Sequence, residues 1–235
     1  MQGRKRISPF PVFLNLDGKP CAVFGGGKVA ERKIRSLLKA GARVSCFAEK
    51  VTPKISALAR RKMICCRKVR LRGGPSVRPF LREPVLVFAA TSSSGLNTAI
   101  YRECGKRKIL VNVADVPRLS NFISPAVFSR GALKVVVSTG GKSPELAKTI
   151  RKKMNGFLGP EYGRLLEFMS GRRSRILETV PFPAKRKKLF RELASPGFLA
   201  CFRKKDSGSA RRYYEKLLKK ERLYRGSNVK SESET

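Results

Sequence analysis

Histidine is absent from the chain. That removes the commonest general base, the common zinc ligand and every histidine-based catalytic triad. Tryptophan is absent as well, and aromatic residues make up 8% of the sequence, which leaves little stacking surface for single-stranded nucleic acid. The six cysteines, Cys21, Cys46, Cys65, Cys66, Cys104 and Cys201, form no C-x-x-C pair. Several lie inside apolar runs, where cysteine behaves as a small hydrophobe, so neither a disulfide scaffold nor a thiolate metal site is expected. A reducing cytoplasm is the natural compartment for such cysteine usage. No apolar run approaches the ~20 residues of a membrane span. The basic start, Met1 to Arg6, leads into proline-interrupted sequence that makes a poor signal peptide. No membrane partner is expected.

Acidic residues are scarce: 16 against 53 lysines and arginines, for a formal charge of +37 and a pI near 11.0. Such a field attracts polyanions, whether nucleic acid, a membrane surface or a small multicarboxylate. The excess is spread along the whole chain and not gathered into one arm, which favours general basicity over a nucleic-acid footprint. Hydrophobic residues, at 41%, suffice for a packed core. With histidine missing, chemistry must come from a cofactor, a carboxylate, or hydroxyl and backbone groups.

Cys21-Ala-Val-Phe24 reads as a buried strand. It leads directly into Gly25-Gly-Gly-Lys-Val-Ala30 and then into a helical pattern over 31–38, with Gly41 as the stop. Further strands are predicted at 43–47, 63–69, 85–89 and 109–113, with helices at 52–61 and 96–106. The stretch 70–79, rich in Gly, Pro and Arg, reads as a loop. This alternation predicts βαβ units and a parallel sheet. After Asp115 the pattern changes to β-like runs at 122–127 and 133–138, joined by a turn at Ser129-Arg-Gly131. Ser143 is placed to cap a helix with Pro144 in its first position, running to about Met154. From Gly159 onward the apolar spacing is helical, through Leu165, Phe168 and Ile176, then Leu189 to Leu193, then 213–223. Residues 226–235 have the composition of a disordered tail.

Gly25-x-Gly27-x-x-Ala30, after a strand and before a helix, is the dinucleotide fingerprint with alanine at the third position. Gly25 permits the tight turn, Gly27 lets backbone approach a pyrophosphate, and Ala30 allows close helix–strand packing. The helix N-terminus then turns its unpaired N–H groups to the phosphates. The fingerprint requires an acid ~20 residues on to hold the ribose hydroxyls, and Glu49 occupies that place. Glu49 argues for NAD, although the neighbouring Lys50 clouds the choice against NADP. Among the first 150 residues the aspartates are Asp17 and Asp115. Asp115 follows a predicted strand's carboxyl end, where open α/β sheets bind ligands.

These residues resemble a known family. Pro11-Val-Phe-Leu-Asn-Leu-Asp-Gly-Lys19 and Gly25-Gly-Gly-Lys-Val-Ala-Glu-Arg-Lys33 look like the opening of the precorrin-2 dehydrogenase and sirohydrochlorin ferrochelatase family, the N-terminal part of siroheme synthases. The likeness continues through Phe88-Ala-Ala-Thr91 with Asn97, Asn112-Val-Ala-Asp-Val-Pro117, Phe122-Ile-Ser-Pro125 and Ser138-Thr-Gly-Gly-Lys-Ser-Pro144. Nothing resembling a uroporphyrinogen methyltransferase domain follows. The chain departs from the family at Ser92-Ser93-Ser94, where relatives often carry acidic or amide residues, and at Thr139, which takes the place of a serine phosphorylated in some relatives.

The resemblance implies an α/β fold: a Rossmann NAD-binding domain over 1–115, a β-containing dimerisation region over 116–155, a helical domain over 156–225 and a tail over 226–235. It implies NAD contacts at Gly25, Gly27, Lys28, Val29, Glu49, Lys50 and Thr91, a catalytic Asp115, and no resident metal. The implied reaction is NAD-dependent oxidation of precorrin-2 to sirohydrochlorin in a cytoplasmic homodimer. Insertion of Fe²⁺ into that product is an added activity in bifunctional members. The alternatives are a dehydrogenase without chelatase activity, or a nucleotide- or nucleic-acid-binding Rossmann protein, for which the positive charge is the best argument.

Overall fold

The strands owe their place to alternation. In β1 (Pro20–Phe24), Cys21 and Val23 face one side of a sheet and Ala22 and Phe24 the other, all nearly inaccessible to solvent. A strand buried on both faces belongs to a parallel sheet covered by helices. A computed structural model, which describes residues 9–203 and 207–223, shows that arrangement. The chain divides into two compact units, Met1–Ser124 and Pro125–Thr235.

The first unit is built on a five-stranded parallel sheet. After β1 come α1 (Lys28–Lys39), β2 (Arg43–Ala48), α2 (Pro53–Arg60) and β3 (Cys65–Lys68). A short helix, α3 (Gly74–Val77), and a 3₁₀ turn at Arg78–Leu81 precede β4 (Leu86–Ala89), α4 (Ser94–Lys106) and β5 (Leu110–Val113). The strand order is β3-β2-β1-β4-β5, so the chain reverses its direction of growth between β1 and β4. That is the switch point at which open α/β sheets bind ligands. Ile34, Leu37 and Ile55 of α1 and α2 cover one face of the sheet, and Val77, Leu81 and Ile100 of α3, the 3₁₀ turn and α4 cover the other. Each such side chain contributes roughly 1.5–3 kcal/mol by leaving water. Thr52 caps α2 through its hydroxyl, which accepts from Ile55 N–H at 3.3 Å, and Ser93 caps α4 in the same way from Leu96 N–H at 3.2 Å.

Two expectations need correction here. Residues 70–79 are not a plain loop: Ser76 Oγ accepts from the N–H groups of Arg72 and Gly73, and this nucleates α3 in spite of the local glycines and proline. Residues 122–124 are not strand. Asn121 Oδ1 accepts from Val111 N–H at 2.7 Å, and its Nδ2 donates to Ile109 O at 3.1 Å, so a side-chain amide takes up the outer edge of β5. Asn112 Nδ2 donates to Phe122 O at 3.0 Å and holds the next residue in place.

The second unit begins with an antiparallel pair, β6 (Ala126–Arg130) and β7 (Leu133–Val137), turning at Gly131-Ala132. The first strand thus starts four residues later than the sequence suggests, beyond Pro125. The helices α5 (Pro144–Phe157), α6 (Pro160–Thr179), α7 (Pro183–Leu193), α8 (Pro196–Arg203) and α9 (Ser207–Leu223) follow. Ser143 caps α5, as expected, with Leu146 N–H at 3.2 Å. The Thr139 hydroxyl donates to Ser143 O at 3.0 Å and accepts from Ser143 N–H at 3.1 Å, which fixes the approach to that helix. Phe168, Phe198, Phe202 and Tyr214 form the aromatic centre of the bundle, with ring centroids 5.4–5.8 Å apart in edge-on contacts. The tail at 226–235 lies outside the described residues. Among the described residues no helix is long and apolar enough to cross a membrane.

Candidate dinucleotide-binding and active site

The turn after β1 is built from three glycines with three different tasks. Gly25 lies at φ +118, and a Cβ there would run into the Ala90 carbonyl at the end of β4. Its N–H donates to Phe47 O at 2.9 Å, and its carbonyl accepts from the Cys46 thiol at 3.5 Å. Burial pushes that thiol up to about 12, so it remains a proton donor. Gly26 has no room either, since a Cβ would enter the Lys50 carbonyl. Its own carbonyl accepts from Thr52 N–H at 2.9 Å. Gly27 faces open space, with nothing within 4 Å of an added Cβ.

Gly27 is also the N-cap of α1, and no side chain caps that helix. The first-turn N–H groups, those of Lys28 and Val29 among them, therefore point at open space beside a residue with no side chain. This cradle fits a pyrophosphate. Gly25, Gly27, Lys28 and Val29 are thus brought together at one turn. Gly26 was not singled out by sequence reasoning, although the run of three glycines was the available signal. Glu31, one turn into α1, accepts from Thr52 Oγ1 at 2.9 Å and lies 3.6 Å from Lys54 Nζ, tying α1 to the start of α2.

Thr91 follows β4 beside the Gly25 contact. Its hydroxyl donates to Asn97 Oδ1 at 2.8 Å and its N–H to the same oxygen at 3.3 Å, while Asn97 Nδ2 donates to Thr91 O at 3.1 Å. Asn97 is buried, so this closed set of bonds holds the turn rigid. Glu49 and Lys50 follow β2, both with exposed side chains. Arg70, just past β3, places Nε 3.6 Å from Glu49 Oε2.

Asp115 stands in a turn directly after β5 at φ +60, the left-handed region that non-glycine residues seldom occupy. The turn is stitched by Val116 N–H to Val113 O at 3.3 Å and by Val113 N–H to Ser120 Oγ at 2.9 Å. The carboxylate is exposed. It lies within electrostatic reach of Lys33, whose pKa is lowered by burial first and by Arg32 next, while Asp115 works to raise it. Lys33 Nζ sits 4.7 Å from the centroid of the Phe88 ring, which packs edge-on against Phe122 at 5.6 Å. Sequence reasoning missed Lys33 as a site residue. Its signal was its spacing: it falls between Ala30 and Ile34 on the stripe of α1 that also carries Leu37, all three buried.

β2 and β5 are separated by β1 and β4, so Glu49 and Asp115 lie three strand spacings apart, roughly 14 Å. The residues therefore form a row along the carboxyl edge of the sheet: Glu49 and Lys50, the glycine turn, Thr91, then Asp115. A groove of about 510 Å³ lined by Gly74, Tyr101, Glu103 and Lys106 includes none of them. Its Glu103 is bonded to Lys106 at 2.7 Å, Arg107 at 3.1 Å and Arg78 at 3.2 Å, and the bonds from Lys106 and Arg78 hold its carboxyl down at about 2. It is a tie between α4 and the 3₁₀ turn. Among the described residues no group of three or more Cys, Asp or Glu is placed to hold a metal ion.

A parallel sheet with this switch point, glycine turn and uncapped helix defines a dinucleotide-binding protein of the Rossmann class. An NAD(P)-binding family model matches residues 12–126, and the model of the sirohaem biosynthesis protein central region matches residues 130–156. The siroheme synthase of Thioalkalivibrio sulfidiphilus is 36% identical over 209 residues, covering 89% of this chain and 42% of that protein. Siroheme synthase 1 of Aeromonas salmonicida is 33% identical, covering 93% of this chain and 46% of its own length. The chain thus carries a region matching the NAD(P)-binding model followed by one matching the sirohaem biosynthesis central model, and over most of its length it is similar to siroheme synthases. It spans less than half the length of these curated relatives. The solved structure of SirC, a precorrin-2 dehydrogenase, shares the fold with a TM-score of 0.72 at 24% identity, covering 90% of this chain and 100% of that one.

Proposed function

We propose that this chain oxidises precorrin-2 to sirohydrochlorin with NAD⁺ as hydride acceptor, and that Asp115 is the base. The observation that carries the reading is Asp115 itself, held in a left-handed turn at the end of β5 on the same sheet edge as the glycine cradle. The bound dinucleotide supplies the acceptor for the hydride. The second hydrogen leaves as a proton, and the Asp115 carboxylate is placed to take it. Gly25, Gly26 and Gly27 with the first turn of α1 hold the pyrophosphate, Thr91 lines the middle of the site, and Glu49 holds the ribose hydroxyls, which favours NAD. Lys33, close to Asp115, offers an ammonium for one of the substrate's acetate or propionate groups.

Fe²⁺ insertion into sirohydrochlorin, with release of two pyrrole protons, is the second half of the proposal. Fe²⁺ is a substrate there, and Asp115 is again the group placed to accept protons. The proposal also includes a cytoplasmic homodimer formed through residues 116–155. Its support is an apolar stripe on α5, with Leu146 and Ile150 exposed by 51% and 37% and Phe157, just past that range, continuing the stripe at 74%, and the exposed cross-strand pair Val127 and Val136. Sedimentation at micromolar concentration should show the dimer; a monomer there refutes it.

The test of the chemistry is Asp115→Asn, assayed anaerobically with precorrin-2 and NAD⁺ and then with Fe²⁺. Asparagine tolerates the left-handed turn as aspartate does, so folding and cofactor binding should persist. Turnover should fall by about 10²–10⁴. Loss of iron insertion alone would confine Asp115 to chelation, and full activity in both assays would remove it from the mechanism.

A further inference from the structure

Glu49 is the sole acidic residue between Glu31 and Glu83, and nine lysines and arginines lie between positions 50 and 72. The fold brings some of that charge to Glu49. β2 and β3 are parallel and pair Ala48 with Lys68, so Glu49-Lys50 and Val69-Arg70 leave the sheet at the same carboxyl edge. Val69 N–H donates to Ala48 O at 3.1 Å and keeps the two exits together. The Lys50 carbonyl packs on Gly26, which fixes this corner against the glycine turn. Arg70 Nε then lies 3.6 Å from Glu49 Oε2, with the two side chains 67% and 58% exposed.

A carboxylate in this place holds the ribose diol of NAD and repels the 2′-phosphate of NADP. Here a guanidinium neutralises it and presents a fork of donors suited to phosphate oxygens. An exposed ion pair of this kind is weakly held, so the guanidinium is easily released. We propose that Arg70 is a specificity-determining residue that admits NADP alongside NAD. With NAD, Arg70 stays on Glu49 while Glu49 takes the diol. With NADP, Arg70 leaves Glu49 for the 2′-phosphate, and Lys50 adds to the positive field. The inference rests on the dinucleotide reading of the site.

Titrating the full chain with NADH and with NADPH, followed by cofactor fluorescence, needs no tetrapyrrole. The unaltered protein should bind NADPH within about tenfold of NADH. Arg70→Ala should weaken NADPH by about tenfold or more and NADH by less than about threefold. Glu49→Gln should shift the ratio the other way. NADPH binding weaker than NADH binding by well over about tenfold in the unaltered chain, or an unchanged ratio in Arg70→Ala, overturns the inference. So does a loss of NADPH caused by Lys50→Ala in place of Arg70→Ala. Binding of neither dinucleotide would instead bring down the cofactor reading itself.

Discussion

In the first unit the buried polar side chains, Asn97 and Glu103, are both hydrogen-bonded: Asn97 closes on Thr91, and Glu103 receives three cations. Of its positive-φ positions, Gly25 and Asp115 lie at the carboxyl edge of the sheet, while Gly18, Gly41, Lys62 and Lys108 make the turns that enter strands at the opposite edge. In the second unit the centre is aromatic, and three large apolar side chains of α5 face outward on one stripe. The Asn97–Thr91 tie beside the glycine turn suits the proposed cofactor site, and the exposed apolar stripe of α5 suits the proposed interface; Glu103 ties the fold away from both.

The sharpest way to break this comparison is Gly27→Asp. Aspartate is a good N-cap and has open space there, so α1 should persist while its new charge faces the pyrophosphate. NADH binding should weaken by about 100-fold or more, with the helical unit's thermal transition unmoved in calorimetry. Unchanged NADH affinity would show that the glycine turn is not the cradle.

Phe198→Ala tests the opposite half. Phe198 is fully buried, with Phe168, Phe202 and Tyr213 rings 5.2–5.6 Å away. Its loss should cost about 3–5 kcal/mol, seen as an early melting step. NADH titration at low temperature should be unaffected if the first unit stands alone, and a parallel loss of cofactor binding would deny that independence.

A smaller effect is expected at Glu103. Its folded carboxyl titrates at about 2, below the ordinary 4.5, because Lys106 and Arg78 bond the charged form. The stabilisation is whole above pH 4.5 and drains away as pH falls toward 2. Denaturant melts of the chain should therefore steepen in that window, and Glu103→Gln should flatten that part of the profile. Identical acid limbs in the two proteins would refute the tie.

The βαβ core and the cofactor turn were legible because two-residue and helical periodicities meet at the glycines, and Asp115 stood out through the scarcity of aspartate and through family likeness. What stayed hidden depends on side chains meeting across the fold. The helical turn at 74–77 hangs on the Ser76 hydroxyl, which overrides local glycine and proline preferences. The late start of β6 follows from Asn121 and Phe122 being occupied by β5. Lys33 looked like one more cation in a basic chain until Phe88 and Asp115 were placed around it. The short helix α8 went unread although Phe198, Leu199 and Phe202 stand at helical spacing, because a single apolar triplet in eight residues is too short a pattern to fix a helix.

The way β5 is finished bears on how the chain behaves in crowded solution. A sheet's outer strand is a template on which a stranger's strand can grow. On this flank Asn121 bonds the Val111 amide and the Ile109 carbonyl with its side chain, so the template is already written over. The opposite flank, β3, is short and carries exposed Arg67 and Lys68, which repel another copy of so basic a chain. Resistance to runaway aggregation is thus secured by one amide on one side and two cations on the other.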